Sequence, residues 1–203
     1  MSAALPGCAT ECAYGAYGTV CYNTGYYYDS RISGIDYETS LDGEVIRTGV
    51  TGENEDPGRF LFIEGARVSF SLGGTVLGET DAKERLTPFD LAGVAEAAIG
   101  GCDVSAASLP DDVSRFRIVH NMAALLQTLD TDGDPAGTID IRPEVAALFE
   151  NQIEFDQPWE DFRADLQGVL DAANNDDLFP ETRMLRDRVA ALAALYQGIG
   201  LCQ

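Results

Sequence analysis

The spacing of apolar residues changes once along the chain, near residue 85. Before this point, apolar and polar residues alternate in short runs, most regularly in the segment ARVSFSL at residues 66–72. After it, apolar residues recur every three or four positions. Alternation is typical of a strand with one buried face, and the longer period is typical of an amphipathic helix. The pattern therefore predicts strands followed by helices, which is an α+β fold.

The predicted strands are short apolar clusters separated by glycine, proline and aspartate turns. They lie at residues 32–37, 45–50, 60–63, 68–72 and 76–77. Short strands with such turns favour a small antiparallel β-sandwich. Because about fifty residues make only a thin sandwich, we expect it to pack against a C-terminal helical part.

Five helices are predicted in that helical part, and the central one has the most continuous apolar stripe. They lie at residues 88–98, 113–129, 143–149, 159–172 and 180–197. Thr87 is the expected N-cap of the first helix, with Pro88 at its first position. The predicted domains are an N-terminal arm rich in Tyr, Gly and Cys at 1–28, an antiparallel β-domain at 29–84, and a helical domain at 85–203 with an acidic loop at 130–140.

The acidic loop follows the central helix directly, in the string DTDGDPAGTID. Oxygens from alternate residues of a tight loop can converge on one hard cation, and close carboxylates repel each other without one. We therefore predict a structural calcium ion, with four ligands: Asp130, Asp132, Asp134 and Asp140.

This loop departs from the EF-hand pattern at two positions. Pro135 stands where that loop has glycine, and Ile141 stands where it has a bidentate glutamate. Asp140 or Glu144 would have to complete a different cage. The alternative is a solvated turn, since Asp, Gly and Pro are ordinary turn residues.

The charge of the chain restricts its partners. Thirteen basic and 34 acidic residues give a net charge of −21 over 203 residues. Nucleic acid and anionic membrane surfaces should repel such a chain. No apolar run approaches 18 residues, so we expect no transmembrane helix.

The cysteines predict disulfides rather than a metal site. They do not form C-x-x-C pairs, and the single histidine lies far from them in sequence. We predict that four are oxidised, in any of three connectivities: Cys12, Cys21, Cys102 and Cys202. Cys8 is the odd one out, and the string LPGC around it loosely resembles a bacterial lipoprotein cleavage box, so Cys8 is a candidate lipid anchor. Disulfides indicate an extracytoplasmic protein, secreted or in the bacterial cell envelope.

The N-terminal arm is a candidate interaction surface because of its tyrosines, which offer apolar area and a hydroxyl group at small entropic cost. They are Tyr14, Tyr17, Tyr22, Tyr26, Tyr27 and Tyr28. Such a surface suits self-association, a glycan or a protein partner equally. Because the interspersed glycines weaken a regular strand, we expect a cysteine-stapled coil rather than a β-strand.

No catalytic signature is present. His120 is the only histidine, no nucleophile motif accompanies it, and there is no glycine-rich phosphate loop. We expect His120 to be a packed core or boundary residue and Trp159 to anchor its helix on the core. A pair of catalytic carboxylates is not excluded by composition, but the sequence favours a non-enzymatic protein.

Four strings together resemble a group of uncharacterised bacterial secreted proteins and lipoproteins. They are YDSRISGIDYET, GRFLFIEGARVSFSLGGTVLGE, TPFDL and LLQTLDTDGDPAGTIDI, within residues 28–141. The resemblance implies an envelope or extracellular location and a sandwich followed by helices, but no activity. The Tyr- and Cys-rich N-terminus and the insert GENEDPG depart from it.

Two functions follow as hypotheses. The first is a non-enzymatic binding or adhesion protein with a structural calcium loop. The alternative is a structural subunit of an extracellular filament, whose Tyr-rich arm adds a strand to a neighbouring subunit's sheet during self-assembly.

Overall fold

The computed structural model describes residues 11–15, 18–110, 113–134, 137–150 and 153–202, and it confirms the α+β fold. The strands are β1 Glu11–Gly15, β2 Gly18–Tyr27, β3 Ile32–Ser33, β4 Asp36–Leu41, β5 Glu44–Val50, β6 Arg59–Phe62, β7 Arg67–Leu72, β8 Thr75–Asp81, β9 Arg85–Leu86 and β10 Ile139–Asp140. The helices are α1 Pro88–Ala92, α2 Ser114–Thr128, α3 Pro143–Ala146, α4 Trp159–Asn175 and α5 Arg188–Gly198. Short 3-10 turns lie at Glu53–Glu55, Ala106–Ser108 and Ala147–Phe149.

The strands form two main sheets with an aromatic core. One sheet is antiparallel in the order β5-β4-β7-β8, and the other has the order β1-β2-β6, with β9 parallel to β2. Tyr27 stacks on Phe70 with ring centroids 4.7 Å apart, and Phe60 meets Phe70 edge-on at 5.3 Å. Contacts between these rings hold strands of different sheets together and bury large apolar area.

The N-terminal segment forms strands, so the expected coil is wrong for the described residues 11–15 and 18–27. β1 and β2 form an antiparallel hairpin in which Cys12 faces Cys21, and β2 continues along β6. The long-range ladder satisfies the backbone of β2 and outweighs the weak strand preference of its glycines. Local propensity alone could not show that β6 was available as a partner.

The five helices lie where they are predicted, but α4 continues to Asn175, and α1 and α5 differ most in their bounds. α1 ends at Ala92 rather than near residue 98, because Gly93 takes the left-handed conformation with φ 64°. At its start, the Asp90 carboxylate accepts a hydrogen bond from the Thr87 N–H at 2.9 Å, as expected for an N-terminal cap at Thr87.

The last helix begins at Arg188, not at residue 180. Asn174 exchanges two hydrogen bonds with the backbone of Arg183, and Thr128 accepts one from the Arg186 N–H. Asp187 then caps the helix by accepting from the backbone two and three residues later. These side chains keep residues 180–187 out of the helix, because they bind backbone groups of this segment that a helix would need for its own hydrogen bonds.

The sandwich shares one core with α2 and α4, and a second cluster of buried side chains joins α1, α2 and α5. A single cluster of buried side chains combines Phe60 and Phe70 from the sheets with Leu125 from α2 and Leu166 from α4. β10 pairs in parallel with β3, so the segment after α2 is tied to the sandwich by backbone hydrogen bonds.

A buried polar cluster crosses the same junction. Asp29 follows β2 and is 1% exposed. Nε2 of Gln127 on α2 lies 2.9 Å from both Asp29 carboxylate oxygens and also donates to the Ala191 carbonyl on α5. Burial raises the pKa of Asp29 to about 7, although Gln127 and the Arg186 charge both act to lower it.

The four cysteines that were predicted to be oxidised form two disulfides. Their pairing, which the sequence left open, is given by the structure. Cys12 pairs with Cys21 across the N-terminal hairpin, and Cys102 pairs with Cys202 over a separation of 100 residues. The second bond fastens the C-terminus to the loop after α1. Disulfides indicate an oxidising, extracytoplasmic environment. Cys8 lies outside the described residues.

Candidate functional site

The acidic loop between α2 and β10 is built around one buried carboxylate. Asp130 is 1% exposed, and its Oδ1 accepts a hydrogen bond from the Asp140 N–H at 2.9 Å. The Thr131 N–H donates to the Asp140 carbonyl at 2.9 Å. These bonds close the two ends of the loop, so Asp130 has a structural role that its sequence position did not reveal.

The carboxyl groups of Asp130 and Asp132 are neighbours, and each changes the pKa of the other. Burial raises the pKa of Asp130 to about 6, and the neighbouring Asp132 carboxyl adds to this rise. The pKa of Asp132 is lowered, first by the hydrogen bond from the Asp134 N–H and then by the Asp130 carboxyl. Oδ2 of Asp130 is buried and accepts no hydrogen bond within the described part of the chain.

Arg183 supplies a positive charge to this loop. Its Nη2 donates to the carbonyls of Asp130 and Thr131 at 3.1 and 3.2 Å. A side chain at Gly133 would collide with the same guanidinium group. The negative charge of the loop is therefore partly compensated by a residue of the segment before α5, which lies about fifty residues away in the sequence.

The four predicted calcium ligands are not gathered at one point. Asp132, Asp134 and Asp140 are exposed, whereas Asp130 is buried. Within the described residues, no three acidic, cysteine or histidine side chains converge closely enough to hold a metal ion. The calcium site stays a prediction.

A groove lies next to this loop, where the sandwich meets α3. Its cavity volume is about 450 Å³. Asp36 begins β4, Glu53 follows β5, and Asp140 lies on β10, so three elements each contribute one carboxylate. Val50, which is 37% exposed, contributes apolar surface. This cavity continues into a shallow trough on the neighbouring sheet. We call the cavity and the trough together the acidic groove.

The trough runs over the outer face of the sheet β5-β4-β7-β8 and has a volume of about 540 Å³. It shares Asp36 and Val50 with the cavity, so the two form one continuous surface. Glu38 adds a fourth carboxylate, and Val76 is 61% exposed. The trough thus extends the groove along a sheet face that no described element covers.

Two glycines allow the segments around the groove to approach closely. A Cβ at Gly34 would meet the Ile141 carbonyl, and a Cβ at Gly73 would meet the Ala146 carbonyl. Both glycines also have positive φ, at 85° and 55°. Only glycine combines this conformation with such close backbone contact. The junction between the sandwich and α3 therefore depends on these positions.

The groove is strongly acidic because no described basic side chain lies close enough to compensate its carboxylates. No described Lys, Arg or His lines it, and none of its four carboxylates forms an ion pair with a described basic residue. Loss of solvent raises the pKa of Asp36. Elsewhere, acidic side chains pair with basic ones, as in Arg67–Glu79 and Arg85–Glu96.

The four tyrosines of the arm whose side chains are described do not form a fully exposed surface. Tyr27 is fully buried, and Tyr22 is 8% exposed, so the expectation of an interaction surface is wrong for these two. Tyr26 and Tyr28 are half-buried, and the Arg31 guanidinium lies 4.3 Å from the centre of the Tyr26 ring. The side chain of Tyr14 and all of Tyr17 lie outside the described residues.

His120 and Trp159 take the structural positions expected of them. His120 is 2% exposed and contacts the rings of Phe116 and Trp159 edge-on, at 5.8 and 6.2 Å. Trp159 packs against both clusters of buried apolar side chains. His120 is therefore a core residue, and Trp159 is a partly buried residue that anchors α4 on the core.

The sequence gives no direct sign of the groove, because its carboxylates are far apart along the chain. Asp36, Glu53 and Asp140 each look like an ordinary surface acid next to a turn. Gly34 was the available signal, since a glycine inside a strand pattern often marks a close backbone approach.

Comparison with known proteins adds no functional information. No protein-family model matches the chain, nor does any curated protein or solved structure. No helix within the described residues is long and apolar enough to cross a membrane.

Proposed function

We propose that the protein is a non-enzymatic binding domain, secreted or held in the bacterial cell envelope, and that it binds its ligand in the acidic groove. The observation that carries this proposal is the groove itself, a concave surface at the junction of two structural layers. Ligand sites in proteins are concave, and their walls are apolar with a few convergent polar groups. Among the described residues that line the groove, none is a histidine or a cysteine.

A ligand screen with amide chemical shifts tests this proposal. We would titrate isotopically labelled protein with basic peptides, acidic peptides and neutral oligosaccharides. Saturable shifts confined to the groove, around Gly34, Val50 and Ile141, are expected for at least one class. Saturable shifts confined to another surface, or none with any class, would refute the groove as the binding site.

The location rests on the disulfides and on the resemblance to bacterial secreted proteins and lipoproteins. Disulfides persist in oxidising compartments. Mass spectrometry of unreduced, alkylated protein from its native host should find four protected cysteines and at most one free thiol, at Cys8. A diacylglyceryl adduct at Cys8 would show a lipid anchor. Four or five alkylated thiols would contradict the extracytoplasmic location.

We also propose calcium as a structural ion at the acidic loop. The buried Oδ2 of Asp130, next to the Asp132 carboxyl, supports this, because a cation would satisfy it and relieve the repulsion between the two groups. A hundredfold excess over Kd would stabilise the fold by about 2.7 kcal/mol. The melting temperature should rise in calcium relative to chelator, and Asp132→Ala should abolish the rise.

A matched control for this experiment is Asp176→Ala, which removes one exposed carboxylate after α4. It should keep the calcium response. An unchanged melting temperature in the unsubstituted protein would refute calcium binding and would indicate that Arg183 is the only cation of this loop.

The second candidate function is a filament subunit that assembles by strand addition. β1 favours it, because this strand is at the edge of its sheet and pairs only with β2 within the described residues. Exposed strand edges are templates for pairing with another chain. The full chain should then form fibres visible by electron microscopy, and deletion of residues 1–15 should abolish them. A chain that stays monomeric at high concentration would exclude assembly.

A further inference from the structure

The geometry points to an extended basic segment of a partner protein as the ligand of the acidic groove. This inference rests on the proposed function and names the ligand class. The groove contains Asp36, Glu38, Glu53 and Asp140 and no described basic side chain. A ligand with several positive charges is therefore complementary to it, whereas an anionic ligand would be repelled.

The shape of the groove favours an extended chain. The cavity of about 450 Å³ and the trough of about 540 Å³ join through Asp36 and Val50, so the surface is elongated rather than a closed pocket. Single ions or small amines would occupy only one part of it. An extended peptide places neighbouring side chains on different sides, so basic residues can face the carboxylates while the residues between them face the walls of the groove.

Apolar wall residues favour a peptide over a polyamine. Val50 and Val76 are 37% and 61% exposed in the trough, and Pro143 and Ala147 line the cavity. Exposed apolar side chains within a charged groove suit a ligand that carries apolar groups between its charges. A lysine- or arginine-containing peptide with interspersed aliphatic residues has this composition.

The walls do not suit a glycan. Glycan sites usually present an exposed aromatic ring. The apolar face of this ring can stack against a sugar. Tyr37 is the only described aromatic residue lining the groove, and it is 4% exposed, with its ring packed against Phe60 in the core. The hydroxyl groups of Ser69 and Ser71 alone offer no such platform.

The test uses an octapeptide of alternating lysine and valine, with the alternating glutamate and valine octapeptide as the control. Binding to the full chain would be followed by amide chemical shifts and by calorimetry. The lysine peptide should shift the groove residues and should bind more weakly as salt is added, because the Debye length falls from about 10 Å at 0.1 M to about 3 Å at 1 M. The glutamate peptide should not bind.

Charge-neutralising variants then locate the site. Asp36→Asn with Glu53→Gln should weaken binding of the lysine peptide by about three- to tenfold, as expected for the loss of two solvent-exposed ion pairs. Asp103→Asn with Glu181→Gln changes the net charge equally at exposed residues that do not line the groove, and should leave affinity unchanged. Melting curves of both double variants would show that each is folded.

The outcomes separate this inference from the proposed function. Equal weakening by the two double variants would mean nonspecific attraction by the net charge, and would overturn the inference. An oligosaccharide that shifts the groove residues, where the lysine peptide does not, would overturn the inference and leave the groove as the binding site. No groove shifts with any probe would overturn both.

Discussion

The buried carboxyl group of Asp29 makes the stability of the protein depend on pH. In the unfolded chain this group should ionise near its ordinary pKa of 3.8, whereas burial raises its pKa in the fold to about 7. Between these two values, the unfolded state releases a proton that the folded state keeps. Rising pH therefore favours the unfolded state, and the free energy of unfolding falls.

The size of this effect follows from the two pKa values. They differ by about three pH units, and each unit corresponds to about 1.36 kcal/mol. The fold should therefore lose up to about 4 kcal/mol through Asp29 as pH rises from about 4 to about 7. The contribution is fully present below pH 3.8 and is lost as pH rises through the folded pKa. This is a large share of the typical stability of about 5–15 kcal/mol.

The assay is urea unfolding followed by circular dichroism, from about pH 4 to about pH 8, for the unsubstituted protein and Asp29→Asn. The amide keeps the shape of the carboxyl group and still offers an oxygen to Gln127, but it does not titrate. The unsubstituted protein should lose about 4 kcal/mol more than the variant over this range. Asp171→Asn, at an exposed position on α4, is the control and should follow the unsubstituted protein.

The test compares the pH dependence of the free energy of unfolding between the unsubstituted protein and Asp29→Asn. A single curve is not sufficient, because Asp130 also has a raised pKa, of about 6, and lowers the stability in the same direction as pH rises. Asp29→Asn should therefore keep a smaller pH dependence. Parallel curves for the two proteins would refute the reasoning, since they would mean that Asp29 ionises in the fold near its ordinary pKa.

The remaining predictions concern the long disulfide and three glycines. Serine at both Cys102 and Cys202 should cost up to about 4.7 kcal/mol, because the bond closes a loop of about 100 residues; equal stability in urea with and without the bond would contradict this. Gly34→Ala should cost more than about 3 kcal/mol, since it combines positive φ with a backbone collision, whereas Gly43→Ala, at similar φ but in open space, should cost only about 1–2 kcal/mol. Gly168→Ala, at an exposed position within α4, should raise stability by about 0.5–1 kcal/mol, measurable as a higher melting temperature.

The period of the apolar residues was sufficient to predict the class of fold. Alternation before residue 85 and the helical period after it correspond to the observed order of strands and helices, because each period places apolar side chains on one face of its element. The positions of the four disulfide cysteines, near chain ends and in a glycine-rich loop, were likewise sufficient to predict their oxidation.

Local pattern did not predict pairing between distant segments. Residues 18–27 form a strand because their backbone pairs first with β1 and then with β6, and the partners in β6 lie 33 to 39 residues later, as in the pairing of Thr24 with Leu61. Residues 180–187 stay outside a helix because Asn174 and Thr128 bind their backbone. In both segments the deciding hydrogen bonds come from elsewhere in the chain, so propensity within the segment gave the wrong result.

In the candidate site, too, the sequence showed some features and the tertiary structure decided others. The aspartates of the acidic loop were visible as a spacing, but the burial of Asp130 and the approach of Arg183 depend on how α2 and residues 180–187 pack. Asp36 and Asp140 are separated by about a hundred residues and meet at one groove because β3 pairs with β10. Composition determined that the protein would be acidic. The tertiary structure alone decided where carboxylates without an ion-pair partner lie close together, because the core and the backbone ladders bring distant segments into contact.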